Sequence, residues 1–228
     1  MKRNSILVLI VTFVLSGTFL LHFAKAGEGT LDQKYVGELA VAKAIDILIR
    51  SARAKYTQNV VGKLKNDATG ASVNYRNQKG YIPLPAQYVR AIADDIAKRQ
   101  IKGAKGTFNF FLRSRWNLNV NQGLQDDFEK KGWDYLMRQE VEALKAGTPL
   151  KKIKWKPYVR VEDFNGQKML RYLSADPGSA ISCITCHNRW ERKPEIKKLR
   201  EKQGVEVGKI FKMYELMGAL SINVALNN

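Results

Sequence analysis

Two runs of strand-like sequence, Tyr158 to Glu162 and Lys168 to Leu173, stand on either side of Asn165-Gly166. Asn-Gly accepts the positive φ angles of a tight two-residue turn, so this stretch predicts a β-hairpin and commits the later half of the chain to an antiparallel sheet. The C-terminus adds another strand, because Leu220, Ile222, Val224 and Leu226 alternate with smaller or polar residues. A further strand is predicted from Thr107 to Arg113, with Phe108, Phe110 and Leu112 on one side.

The segments before the hairpin read differently. Thr30 and Gln33 form a capping-box pattern. Behind it, Leu39, Ile45, Leu48, Ile49, Ala52, Tyr56 and Val60 fall near one face of a helix over roughly residues 31–66. That stripe can pack on the core or pair with a second copy as a homodimer through the N-terminal helix. Asn66 to Lys79 reads as a loop, and Tyr81 to Pro85 must be extended, since each proline moves the residue before it out of the helical region. Pro85 can open a second helix, which keeps helical spacing through Ile92 and Ile96 and stops at Gly103. A third, from about Gln125, presents Phe128, Trp133, Leu136, Met137, Val141 and Leu144 and ends at Gly147-Thr148-Pro149. Helices first and an antiparallel sheet later describe an α+β domain with helices packed on one face. With 228 residues, 45% of them hydrophobic, the chain suits one well-filled domain over residues 27–228.

Residues 1–26 are set apart. Lys2 and Arg3 precede an almost wholly apolar run, and Ala24-Lys25-Ala26 has the shape of a signal-peptidase site. The expectation is an export signal, either cut near Ala26 or retained as an inner-membrane tether through residues 6–24, with the domain in the periplasm in both cases. Without residues 1–26, which contain Lys2, Arg3 and Lys25 and no acid, 36 basic face 21 acidic side chains, a net of +15. For an exported chain this excludes nucleic acid as the natural partner and points to an anionic membrane face, an acidic protein or a merely soluble basic surface.

Both cysteines and one of the two histidines lie in Ser182 to Trp190, SCITCHNRW. Cys183-Ile184-Thr185-Cys186-His187 is C-x-x-C-H, the pattern of covalent c-type haem attachment. Two thiols three positions apart reach the two vinyl groups of one porphyrin, and the adjacent imidazole meets the iron. Structural zinc would need four ligands, whereas the chain after residue 26 has no cysteine or histidine outside this motif. A redox dithiol would be expected at a helix start near a βαβ unit, rather than in a loop after a hairpin.

The run RYLSADPGSAISCITCHN, together with YIPLPAQYV, FFLRSRWNLNVNQGLQDDFE and the C-terminal ELMGALSINVAL, resembles the PAS-like c-type haem-binding domain family. That family occurs in bacterial sensor kinases, chemoreceptors and small exported haem proteins. The resemblance implies a PAS-like antiparallel sheet with a haem-attachment loop near the C-terminus, one covalent haem c on Cys183 and Cys186, and His187 as the proximal iron ligand. The basic stretch from Trp190 to Lys212 departs from the family pattern.

No second histidine or cysteine is left for the other face of the iron. Among the methionines, Met169, on the hairpin strand, and Met217, at the start of the final strand, are the candidates to test first; lysine, tyrosine, water or an open site are the alternatives. A methionine ligand favours an electron carrier working with an acidic redox partner, and an open site favours a module responding to redox state or to a diatomic gas. A peroxidase-type enzyme ranks last, since no histidine remains as a distal base. Phe110, Trp116, Trp155 and Trp190 can wall a haem or simply fill the core, and Arg189 and Arg192 can pair with propionates or stay solvated.

Overall fold

The computed structural model describes residues 33–64, 70–99 and 108–226. The predicted export signal, the capping box at Thr30, the stop at Gly103 and the first strand residue Thr107 lie outside them. The first helix, α1 (Val36–Tyr56), follows a 3₁₀ turn, Gln33–Tyr35, and continues through a wide π-turn, Thr57–Val61, into a last short turn, α2 (Gly62–Leu64). The second long helix, α3 (Pro85–Lys98), starts where the sequence places it. Pro85 holds the first helical position, and the Gln87 side chain accepts the Leu84 N–H at 2.9 Å.

Four strands form one antiparallel sheet: β1 (Phe108–Arg113), β2 (Tyr158–Phe164), β3 (Gln167–Pro177) and β4 (Leu216–Ala225). Their order is β1-β4-β3-β2. The hairpin forms as expected, with Asn165 at φ 52° and Gly166 at φ 76° joining β2 to β3. Since β4 is central, the first and last strands of the domain become neighbours, with Phe110 opposite Ile222.

The third helix, α4 (Asp127–Lys145), capped by the Asp126 carboxylate on the Glu129 N–H at 2.9 Å, departs from the expectation. It does not join α1 and α3 on one face. α1 and α3 cover the face carrying Phe110, Leu170, Tyr172, Leu220 and Ile222, whereas α4 crosses the opposite face over Tyr158, Leu173, Ala175 and Ala219. All ten residues of β4 are therefore buried, including Ser221 and Asn223, which an alternating strand with one wet face would expose. Close approach on the α4 face depends on Gly132, where an added Cβ would meet Leu173 Cδ2 at 2.6 Å and Tyr158 Cδ1 at 2.9 Å.

Two short helices lie between β3 and β4: α5 (Ile181–Glu191) and α6 (Pro194–Gln203), the latter closed by Gly204 at φ 64°. Among the described residues no helix is long and apolar enough to cross a membrane.

Candidate functional site

The chain reaches α5 along β3, which runs past Ser174 to Pro177, so Ser174 to Pro177 is strand where the sequence suggested loop. A register shift at Asp176/Pro177 ends the pairing with β4. Gly178 then donates its N–H to the Glu215 carbonyl at 2.9 Å and accepts the Tyr214 N–H at 2.8 Å, which turns the chain back over the sheet end. Ala180 is extended and caps α5, and the Cys183 N–H donates to the Ala180 carbonyl at 3.0 Å.

Cys183, Cys186 and His187 therefore sit in the first two turns of a helix, not in a loop. The physical consequence is favourable. Residues at i, i+3 and i+4 share one helix face, so both sulfurs and the imidazole are presented on one stripe while Ile184 faces the core. Both thiols are free and half-buried. Burial pushes the Cys183 thiol above its ordinary value, opposed by the Arg53 charge. Burial also holds the His187 imidazole below its ordinary value, so the ring is neutral near pH 7. Its Nδ1 is buried with no hydrogen-bond partner among the described residues, and the ring stands edge-on to Phe211 at 6.0 Å.

Buried polar contacts fix this helix in place. The Asn188 amide grips the backbone of Phe211, donating to its carbonyl at 3.0 Å and accepting its N–H at 2.8 Å. Phe211 in turn stands edge-on to Trp116 at 5.6 Å. At the end of α5, Glu191 forms an ion pair with Arg200 of α6 at 2.6 Å, with both side chains essentially inaccessible to water. Arg200 also donates to the Asn117 carbonyl at 2.9 Å, the Trp116 carbonyl at 3.1 Å and the Gln203 side chain at 2.7 Å. At the start of the site, Arg53 of α1 makes paired hydrogen bonds to Asp176, close enough to Cys183 for its charge to act on the thiol. Two helical turns earlier Asp46 accepts the Ser174 hydroxyl at 2.7 Å.

Sequence reasoning missed Arg53, Asp176, Asn188, Glu191 and Arg200. Arg200 stood within a basic stretch and read as a surface charge, yet it is fully buried. No local pattern marks Arg53 and Asp176 as partners, because 123 positions separate them. Asp176 and Asn188 lie within RYLSADPGSAISCITCHN, the one signal that could have drawn attention to them.

The two methionine candidates part company. Met217 is brought to the motif helix, where its packing, together with that of Ile184, depends on Gly178: an added Cβ at Gly178 would lie 2.4 Å from Met217 Sδ and 2.4 Å from Ile184 Cδ1. Met169 is buried near the opposite end of β3, paired with Glu162 and Ala225. Eight residues separate it from Pro177, about 26 Å of strand, so the structure does not bring it to the motif. Trp116 and Phe211 line the core beneath α5, Trp155 packs at the edge of that core, and Phe110 belongs to the other face of the sheet. Trp190 is half-buried under the Lys193 ammonium, 3.6 Å from its ring centroid. Arg189 and Arg192 are exposed.

Chemically, the stripe offers two sulfur nucleophiles and one neutral nitrogen donor. A redox dithiol gains from a lowered thiol pKa, and burial moves Cys183 the other way. The sheet is antiparallel throughout, so among the described residues no βαβ unit surrounds the pair.

The family described as Tll0287-like matches residues 34–225. Among solved structures the chain is similar to the cyanobacterial heme-protein Tll0287, with 14% identity and a TM-score of 0.49, over 84% of this chain and 96% of that one. No curated protein matches the chain.

Proposed function

The chain belongs to the Tll0287-like family, and from that footing we propose that it is an exported c-type cytochrome with one covalent haem, built on a PAS-like α+β domain and serving as a redox- or gas-responsive module. The observation that carries this reading is the helix face of Cys183, Cys186 and His187. In it the two sulfurs stand at i, i+3 for two thioether bonds, and the adjacent imidazole is neutral, with its Nδ1 buried and without a partner among the described residues. This donor set fits haem c and uses every residue of the motif. The haem, when bound, supplies an iron that changes oxidation state and can take a further ligand.

The rest of the proposal concerns the chain's own groups. Cys183 and Cys186 would hold the haem through their sulfurs, and His187 would supply the nitrogen donor to its iron. Asn188, through Phe211, and Glu191, through Arg200, keep α5 from rotating and so hold the imidazole in one orientation. Arg53 and Asp176 place a compensated charge pair beside Cys183. Met217 packs with the buried Ile184 around Gly178, on the core side of α5, which favours a responsive site over a permanently methionine-ligated carrier. Residues 1–26 would direct the domain across the inner membrane, as a cleaved signal or as a tether.

A second reading, a periplasmic electron carrier, draws on one observation. Arg189, Arg192, Lys197, Lys198 and Lys202 are all exposed on α5, α6 and the turn between them, a basic surface suited to an acidic redox partner. Absorption spectra of the purified protein, oxidised and reduced, with and without carbon monoxide, separate the two. A reduced spectrum that shifts with carbon monoxide supports the responsive module, and a six-coordinate reduced iron that ignores it supports the carrier. Absence of covalent haem would sink both.

A further inference from the structure

α1 carries two apolar stripes, and among the described residues the fold packs only one. Ala42, Ile45 and Ile49 are buried against the sheet. On the outward side, Gly37, Val41, Ala44, Leu48 and Ser51 are all exposed, and they recur at steps of four, three, four and three. Those steps keep the five positions on one straight stripe of the helix, which a helix-pairing seam requires. Ala40 and Ile47 flank the seam and are also exposed. The large members are open to an extent unusual for their type: Val36 59%, Ile47 67% and Leu48 66%. Small residues at Gly37, Ala40, Ala44 and Ser51 leave room for a second backbone, and a Cβ added at Gly37 would meet nothing within 4 Å.

Charge decides what covers this face. After residue 26 the chain carries a net +15, so two copies repel over most of their surfaces. Between Val36 and Ser51 the only fully exposed charge is Lys43, so this face is where two like-charged copies can meet. An acidic protein or an anionic membrane would instead be drawn to the basic surfaces elsewhere. The seam also has a defined end. The π-turn at Thr57–Val61 shifts the helical phase, and Lys55, Gln58 and Asn59 present polar groups. It therefore runs about 24 Å, from Val36 to Ser51.

We infer that the outward face of α1 is the contact between two copies of this chain, a two-fold homodimer in which Val41, Ala44, Ile47 and Leu48 of one protomer meet the same residues of its partner. Ala44 lies at the middle of the seam, so it meets its counterpart whichever way the second helix runs. The test is oxidative cross-linking of the full chain carrying Ala44→Cys, with Glu195→Cys on exposed α6 as the reference for any cross-link through Cys183 or Cys186. The dimer predicts a cross-linked band at twice the chain mass for Ala44→Cys, at least tenfold stronger than for Glu195→Cys. Adding Leu48→Glu, at a position 66% exposed so that the circular dichroism spectrum should stay intact, should remove it. Sedimentation of the unsubstituted chain should give twice the monomer mass, and Val41→Glu/Leu48→Glu the monomer mass. A monomer at every concentration, a cross-link indifferent to Leu48→Glu, or a cross-link to a different protein would each overturn the inference.

Discussion

Replacing Arg200 by methionine tests whether the knot at the end of α5 holds the site together. Arg200 and Glu191 are shielded from water almost completely, and the pair closes through three hydrogen bonds of 2.6 to 3.1 Å. Methionine fills much the same volume but supplies no donor. Glu191 would then be a carboxylate with about 1% of its surface exposed and no cation, the Trp116 carbonyl would lose its donor, and the Asn117 carbonyl would keep only Gln203 at 3.5 Å. Leaving one member of a buried ion pair uncompensated costs about 3–5 kcal/mol. For a chain of this size that lowers the melting temperature by about 6–20 °C. Urea unfolding followed by circular dichroism reads the change directly, and because α5 carries the motif, the variant should also retain less haem. The double variant Glu191→Leu/Arg200→Met removes the stranded charge, so it should be more stable than Arg200→Met alone. A loss below about 1 kcal/mol for Arg200→Met, or a double variant no more stable than the single one, would refute the reasoning.

Two other perturbations follow from the packing and the charges. Gly178→Ala places a Cβ 2.4 Å from Met217 Sδ and Ile184 Cδ1, and this overpacking should cost about 1–3 kcal/mol and shift the haem spectrum, both measurable on one purified sample. Glu140 accepts the buried Leu216 N–H at 2.7 Å, and burial holds its carboxyl above the ordinary value of 4.5. A carboxyl raised in this way favours the folded state when protonated, so its contribution is greatest at low pH and is lost as pH rises through the folded pKa. Glu140→Gln keeps the acceptor without the charge. It should be more stable than the parent at pH 7, and the difference should shrink as pH falls through the raised folded value towards 4.5; a gain independent of pH would contradict the assignment.

Local signals carried much of the fold. Asn165-Gly166 dictated its turn because few dipeptides accept two consecutive positive φ angles, and Pro85 dictated a helix start because its ring fixes φ and its missing N–H costs nothing there. What was illegible depends on contacts between distant residues. The amphipathic pattern of α4 says that one side is buried, but not which face of the sheet receives it. β4 looks one-sided because Ser221 and Asn223 are polar, yet Asn223 is paired with Arg171 at 2.9 Å beneath the α4 layer. The motif itself was legible in composition and spacing but not in conformation: following the hairpin and Ser174-Ala175-Asp176-Pro177-Gly178 it read as loop, whereas Ala180 caps a helix that aligns Cys183, Cys186 and His187. Arg200 shows the limit most clearly. A basic residue among lysines is buried because Glu191 and two backbone carbonyls, 83 and 84 positions away, meet it there.

The central claim is that Cys183 and Cys186 hold one haem covalently, and intact-mass measurement of the denatured, purified protein tests it most directly. The account predicts the mass of the polypeptide plus a single haem, retained after acid denaturation, and the bare polypeptide mass for Cys183→Ser/Cys186→Ser. A native chain with no haem mass attached, or a double variant that keeps it, would contradict the account.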